Sequence, residues 1–339
     1  MKRRDFTIGL LIAAAAPSAS ALEGAKQHRI AIVMAGGTIA RISEMASDPV
    51  ARRFYQAFFQ ELRRLGDVEG QNLTIERYSG EGRPASHADL AREVVSHLPE
   101  VIVASTGPVA LAVRAATATI PIVFEVVDAA RIGLVTNLAH PGGNMTGVSL
   151  FDAELIPKRL QILKEVVPSA SRIAVLNMRR QWEGAYGQAF QPAYQEASER
   201  LHIELVPMSL EESTPSEYQR VFAAIAKDLP DAILVTDIGD LIPYRQLIVE
   251  LVEKSRLPAM YGLRDYVEAG GLMAYEAEFG ETGRRMADDV HEILNGANPG
   301  DIPIYQATKF EFVINLKAAK ALDLTLPPTL LARADEVIE

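Results

Sequence analysis

The chain has 339 residues, of which 48% are hydrophobic and 23% are charged, and its formal net charge at pH 7 is −10. This composition is typical of a globular protein, and the length suggests two domains. The acidic balance, without a block of lysine and arginine in the body of the chain, argues against nucleic acid and anionic membrane surfaces as partners.

The first residues have the layout of an export signal. A basic start at 2–4, an apolar run over 8–16 and small residues at 19–21 follow one another. This order predicts a signal peptide over residues 1–21, cleavage after Ala21 and a periplasmic location. The apolar run is about half as long as the ~20 residues of a spanning helix, which argues against a membrane anchor. The pair Arg3-Arg4 suits the twin-arginine route, and the apolar run also suits the general one.

Apolar, β-branched runs then alternate with amphipathic stretches. Continuously apolar strands are typical of parallel sheets that are covered on both faces, and the alternation predicts a doubly wound α/β unit. The predicted strands of this first unit are 30–34, 73–78, 101–104 and 122–127, and its predicted helices are 52–65, 88–98 and 108–118.

The alternation restarts near residue 148, after a short join over 144–149, which indicates a second α/β unit of similar size. Two such units would form a cleft between them, and ligands bind to such sheets beyond the carboxyl ends of the strands. The predicted strands here are 173–177, 203–208, 232–236 and 259–261, and the predicted helices are 187–201, 216–229 and 244–255, with 149–167 as a linker and helix before them. The tail is less regular, with predicted strands at 272–275 and 310–314 and predicted helices at 281–294 and 316–321.

Polar residues near the ends of these strands are the candidate ligand-binding residues. Ser105 and Thr106 precede a predicted helix, where hydroxyls and free N–H groups suit an anion such as a carboxylate, although either residue could simply cap the helix. Asp128 and Asp237 follow strands in the two units, where each could receive a ligand ammonium or merely stabilise a turn. Asn177 ends a third strand. Together these groups suit a zwitterion, and hence an amino acid.

Aromatic residues supply candidates for contact with an apolar part of the ligand. The first candidate is Tyr275, which follows the glycines at 270–271. The alternative is that its ring belongs to the core. The other aromatic candidates are Phe151, Trp182 and Tyr186.

Several segments, in order along the chain, resemble a known family. They are Pro121-Ile122-Val123-Phe124, Pro141-Gly142-Gly143-Asn144, Gly270-Gly271-Leu272, Asp301-Ile302-Pro303, Thr308-Lys309-Phe310-Glu311 and Leu326-Pro327-Pro328. The chain resembles the substrate-binding proteins of ABC transporters, in the group that includes tryptophan- and tyrosine-binding members. Relatives usually carry an Asp-Pro pair where this chain has Asp128-Ala129, so we expect a different loop geometry at that point.

The resemblance implies a type I periplasmic-binding fold, with two doubly wound lobes and a hinge. The N-terminal lobe would be 29–147 plus 277–306, and the C-terminal lobe 148–276 plus 307–339. It implies a binding protein and not an enzyme, which holds a small organic solute, an amino acid or a related compound, in the cleft. Our expectation for the oligomeric state is a monomer. The protein would deliver that solute to the membrane subunits of an ABC permease without entering the membrane itself.

No residue pattern indicates a metal or cofactor. The absence of cysteine excludes thiolate metal sites and thiol catalysis, and the six histidines have no metal-ligand spacing. Gly36-Gly37 lacks the third glycine of a dinucleotide fingerprint. We therefore expect no metal and no cofactor.

One segment favours a different function. Ala35-Gly36-Gly37-Thr38 resembles the N-terminal threonine motif of bacterial asparaginases, in which the threonine is the nucleophile. Such a hydroxyl needs an activating base and an oxyanion site. The Gly-Thr-Asp-Thr partner segment of those enzymes is absent, and glycines after a strand are common in α/β proteins. An exported amidohydrolase with Thr38 as nucleophile is the alternative to the binding protein.

Overall fold

A computed structural model describes most of the chain, and no helix within that part is long and apolar enough to cross a membrane. The predicted signal peptide over 1–21 lies outside the described residues. The described residues are 27–80, 86–150, 152–228, 230–237 and 239–339.

A six-stranded sheet forms the first unit, which we call the N-terminal lobe. Its strands are β1 (His28–Met34), β2 (Leu73–Ser79), β3 (Val101–Ser105), β4 (Ile122–Val126), β5 (Met145–Ser149) and β11 (Tyr305–Gln306). Their order in the sheet is β11-β5-β4-β3-β1-β2, and the paired strands are parallel. The helices of this lobe are α1 (Pro49–Leu65), α2 (His87–Ser96), α3 (Gly107–Ala116) and α10 (Phe279–Leu294).

A seven-stranded sheet forms the second unit, which we call the C-terminal lobe. Its strands are β6 (Arg172–Met178), β7 (Glu204–Leu210), β8 (Ala232–Val235), β9 (Ala259–Tyr261), β10 (Met273–Ala277), β12 (Phe310–Asn315) and β13 (Glu336–Ile338). Their order is β13-β12-β10-β9-β8-β6-β7, and all the pairings are parallel except that of β10 with β12. The helices are α4 (Asp152–Val166), α5 (Arg179–Glu183), α6 (Ala185–Leu201), α7 (Pro215–Asp228), α8 (Arg245–Ser255), α9 (Arg264–Glu268), α11 (Leu316–Ala321) and α12 (Pro328–Leu331).

The two lobes repeat one topology. The first five strands of each lobe have the order 2-1-3-4-5 when numbered within the lobe, which is a doubly wound order with a switch point beside the first strand. The prediction of two doubly wound α/β units is confirmed. Because all five are parallel in each lobe, their carboxyl ends lie along one edge of each sheet.

The chain passes between the lobes at three places, after β5, after β10 and after β11. Helix α10 follows β10 of the C-terminal lobe but packs on α1 of the N-terminal lobe, where Met286 and Val290 lie in one core with Phe54 and Phe58. The lobe boundaries at 147/148, 276/277 and 306/307 stay predictions, and the first of them falls inside β5, which belongs to the N-terminal sheet.

Helix α1 shows how local sequence sets the ends of an element. Asp48 precedes it, and its Oδ1 accepts a hydrogen bond of 3.0 Å from the N–H of Ala51. Pro49 occupies the first helical position, where no N–H is needed. Gly66 ends the helix at φ +98°, a left-handed conformation that favours glycine. Between these ends, one apolar face packs into the core of the N-terminal lobe.

Strand β5 lies where the sequence predicts only a short join between the units. Every residue of this strand is buried, and it pairs with β4. Gly147 has φ +142°, and a Cβ on it would lie 2.0 Å from the carbonyl oxygen of Phe124. The glycine that weakens the strand signal in the sequence is therefore required by the close approach of β4.

We expect Gly147→Ala to destabilise the protein by about 3 kcal/mol, because the added Cβ overlaps the backbone of Phe124 and the φ angle disfavours alanine. Thermal unfolding measures the effect as a fall in Tm of several degrees. Gly36→Ala is the matched control, since a Cβ at Gly36 meets nothing within 4 Å. Equal Tm values for the two variants would contradict this account of β5.

Candidate ligand-binding site

A cavity of about 200 Å³ lies between the lobes, at the carboxyl ends of strands from both sheets. This is the edge at which doubly wound sheets bind ligands. Its polar lining consists of Thr106, Glu125, Asn177, Thr236 and Asp237. Its aromatic lining consists of Trp182, Phe190, Tyr194 and Phe279. A groove of about 630 Å³ beside α5, β7 and α7 is larger but belongs to the C-terminal lobe alone.

Thr106 lines the cavity at the start of α3. Its φ is +78°, an uncommon conformation for a residue with a branched side chain, and its N–H donates to the carbonyl of Glu125 over 3.0 Å. The hydroxyl of Thr106 is buried without a hydrogen-bond partner. A buried polar atom without a partner is costly, and strained residues are concentrated at functional sites. Thr106 is therefore well suited to contact a ligand. The hydroxyl of neighbouring Ser105 is hydrogen-bonded to Tyr55 of α1 instead.

Asp237 lines the cavity just beyond β8 and is held by Arg159 of α4. Nη2 of Arg159 lies 3.0 Å from Oδ2 of Asp237. The same guanidinium donates to the carbonyls of Tyr275 at 2.8 Å and Gly262 at 3.1 Å, and the residue is only 2% exposed. One buried cation thus fixes the direction of the Asp237 carboxylate. The sequence analysis missed Arg159, because it is one of several charged residues on a helix.

Glu125 brings a second carboxyl group to the cavity, from β4 of the N-terminal lobe. Burial, together with the negative charge of Asp237, raises its pKa to about 7. The sequence analysis missed this residue as well. A signal for it was present, since Glu125 is the one charged residue of an otherwise apolar strand.

Asn177 and Thr236 complete the polar lining from the C-terminal lobe. Asn177 lies within β6 rather than beyond its end, is 2% exposed, and accepts a hydrogen bond of 3.0 Å from Ser209. Thr236 donates to the carbonyl of Leu176 over 2.9 Å. These bonds orient both side chains before any ligand is bound.

Asp128 and Tyr275 are not among the residues that line the cavity. Asp128 accepts bonds from the N–H of Arg131 at 2.9 Å and from its Nε at 3.3 Å, so it stabilises the turn after β4. The ring of Tyr275 packs on Phe310 and Phe312, and only its backbone carbonyl reaches the site, through Arg159.

The other residues singled out in the sequence have different positions. Trp182 lines the cavity and packs on Tyr194, with ring centroids 5.0 Å apart. Phe151 and the side chain of Tyr186 lie outside the described part of the chain. Thr38 is exposed, precedes a single 3₁₀ turn and is not part of the cavity lining.

Within the described residues, no group of three or more His, Cys, Asp or Glu side chains could hold a metal ion. The chemistry of the cavity is that of two carboxyl groups, two hydroxyls and an amide beside aromatic rings. This arrangement can bind a small solute through hydrogen bonds and charge.

Ion pairs join the lobes beside the cavity. Arg53 of α1 contacts Asp265 at 2.7 Å and Glu276 at 3.1 Å, and both carboxyl side chains are almost fully buried. Burial raises the pKa of Glu276 to about 8, while Arg53 opposes that rise. Arg245 of α8 contacts Asp48, which caps α1, at 3.3 Å. The start of α1 is therefore a charged contact between the lobes.

We expect Glu125→Gln to be more stable than the wild type at pH 8, with a smaller difference at pH 5. The ordinary pKa of glutamate is 4.5 and that of folded Glu125 is about 7, so the folded state binds more protons between these values. The wild type consequently loses stability as the pH rises through this window, by about 2 kcal/mol, and the variant does not. Thermal unfolding at both pH values measures the difference, with exposed Glu212→Gln as control. A Tm difference independent of pH would contradict the burial of an ionisable Glu125.

We expect Arg159→Lys to lower stability by about 2 kcal/mol. Lysine keeps the charge but cannot hold Asp237 and two carbonyls with one planar group. Chemical denaturation measures the loss. Arg256→Lys is the control, because Arg256 pairs with Asp323 on the surface and both side chains are largely exposed. Equal stability of the two variants would refute the central role given to Arg159.

Sequence comparison relates this chain to known proteins. The family model for ABC transporter substrate-binding proteins matches residues 39–338. A tyrosine-binding protein of Clostridioides difficile (strain R20291) is 25% identical over 290 residues, which are 84% of this chain and 80% of the relative.

Two solved structures share the fold. A conserved domain protein from Vibrio cholerae O1 biovar El Tor has a TM-score of 0.79 and 27% identity, over 92% of this chain and all of that chain. An ABC domain from Streptococcus pneumoniae in complex with L-Trp has a TM-score of 0.79 and 21% identity, over the same shares. The predicted two-lobed periplasmic-binding fold is confirmed, and the chain belongs to the family of ABC transporter substrate-binding proteins.

Proposed function

We propose that this chain is the periplasmic solute-binding component of an ABC importer, and that it binds an amino acid or a related small compound between its lobes. The observation that carries the proposal is the composition of the interlobe cavity. Polar groups from both lobes meet there at the carboxyl ends of the strands, beside a wall of aromatic rings. Ligand cavities combine apolar walls with a few placed polar groups in this way.

The cavity suits a small ligand with an aromatic or branched side chain. Its volume of about 200 Å³ is below the roughly 300–1,000 Å³ of drug-sized sites. The rings of Trp182 and Tyr194 offer faces on which an aromatic group can pack. One relative is named for tyrosine binding and one solved structure contains L-Trp, which is consistent with this ligand class.

Three of the six predicted binding residues are proposed as direct contacts. Thr106, at the start of α3, would donate to a ligand carboxylate with the free N–H groups of the helix. Asn177 and Asp237 would bind the polar atoms of the ligand from the opposite lobe. Ser105 and Tyr275 would support the site through Tyr55 and Arg159 respectively.

Closure of the lobes would link binding to transport. A ligand that contacts both lobes only when they are closed shifts the population toward the closed form by its differential affinity. The membrane permease would then recognise the closed form. On this proposal the protein performs no catalysis, and Thr38 has no role in the bound state.

A thermal-shift screen of the mature protein, beginning at Leu22, tests the proposed function. The compounds are the amino acids, aromatic acids and nucleosides. We expect an L-amino acid to raise the Tm, because a ligand present at 100 times its Kd stabilises the folded state by about 2.7 kcal/mol. Thr38→Ala is expected to show the same shift as the wild type.

Two outcomes would count against the proposal. No shift with any amino acid would refute the ligand class. Ammonia release from asparagine that is lost in Thr38→Ala would refute the binding function and establish the amidohydrolase.

A further inference from the structure

We propose that Glu125 and Asp237, one carboxyl group from each lobe, together bind a protonated amine of the ligand. The ligand class is then a cationic amine attached to an apolar or aromatic body, and a carboxylate on the ligand is not required. The inference rests on the proposed function, because it assigns part of the same cavity.

The two carboxyl groups reach the cavity from opposite sides. Glu125 is the fourth residue of β4 in the N-terminal lobe, and Asp237 lies just beyond β8 in the C-terminal lobe. Both line the one cavity, and each affects the other electrostatically. A ligand group between them contacts both lobes at once.

The charges of the cavity do not balance. Among the described residues that line it, two are acidic and none is lysine, arginine or histidine. Arg159 lies behind Asp237 and compensates for that carboxylate. No hydrogen bond or ion pair of the Glu125 carboxyl is found within the described residues. The ionised form of Glu125 thus lacks a cation among these residues, and a ligand amine supplies one.

The titratable neighbours of Glu125 give it no counter-charge. Across the cavity it faces Asp237, and from α1 it faces the phenol of Tyr55, whose pKa is raised to about 12 by burial and which is neutral at pH 7. Two carboxylates that face each other repel, so the closed form without a ligand is disfavoured when both are ionised. An ammonium group between them converts this repulsion into attraction and favours closure.

The aromatic wall defines the rest of the ligand. Trp182, Phe190, Tyr194 and Phe279 contribute to the same cavity as the two carboxyl groups. A ring or branched chain attached to the amine would pack against them. The hydroxyl of Thr106 can accommodate a carboxylate, but it is a neutral donor and does not compensate the charge of Glu125.

The test is a calorimetric titration with matched probes. The probes are L-tryptophan, L-tyrosine and L-leucine, the amine that each forms on decarboxylation, and the acid that each forms on deamination. We expect binding by amino acids and amines of this set, and at least 100-fold weaker binding by the corresponding acids. Glu125→Gln and Asp237→Asn should each weaken binding at pH 8 by tenfold or more. Asp128→Asn is the control and should change the affinity less than twofold, since Asp128 is not in the cavity lining.

The pH dependence gives a second readout. Glu125, with a pKa of about 7, must ionise to hold an amine, so binding near pH 7 releases part of a proton. Binding should be roughly tenfold weaker at pH 6 than at pH 8, because about a tenth of Glu125 is ionised at pH 6. Glu125→Gln should remove this dependence. Its unfolding transition must remain at or above that of the wild type, so that weaker binding is not loss of fold.

The outcomes separate the inference from the proposed function. The proposed binding of an amine by Glu125 and Asp237 is overturned if a deaminated acid binds as tightly as its amino acid, or if the affinity survives Glu125→Gln. Either result leaves the binding function intact. If no compound of the set binds the wild type, both the proposed binding of an amino acid and the proposed binding of an amine by Glu125 and Asp237 are overturned.

Discussion

The contacts of the buried Arg159 guanidinium are the interaction on which the site depends. This one group ties α4 to the carbonyls of Tyr275 and Gly262 and to the carboxylate of Asp237. A buried charge is tolerated only when it is paired and hydrogen-bonded, so the packing of these elements and the position of Asp237 are set together. The cavity therefore receives a carboxylate whose direction is fixed by the C-terminal lobe itself.

Charge also governs how the lobes meet. At the start of α1, arginine and carboxylate groups of opposite lobes form ion pairs that hold the lobes together. In the cavity, Glu125 and Asp237 present like charges to each other. The attractive pairs lie outside the cavity lining, whereas the like charges face each other within it.

Much of the fold could be predicted from the sequence, because parallel strands that are buried on both faces leave continuous apolar runs such as 101–104 and 232–236. Strand β5 could not, since Gly147 weakens the pattern and is needed only because β4 approaches closely. Of the site, Thr106 and Asp237 could be predicted from their places beyond strand ends. Asp128 has an equivalent place, yet it bonds to Arg131. Sequence position at a strand end does not state which way a side chain points.

The sequence by itself determined the α/β class, the two units and the family, because periodicity and local motifs are properties of neighbouring residues. Only the tertiary structure decided which carboxyl groups share a cavity. Glu125 and Asp237 lie far apart in the sequence and belong to different lobes. Arg159 and Asp237 lie on different elements of the C-terminal lobe. Their proximity follows from the packing of the two sheets edge toward edge, and the resulting burial and mutual repulsion, which raise the pKa of Glu125, exist only in the folded protein.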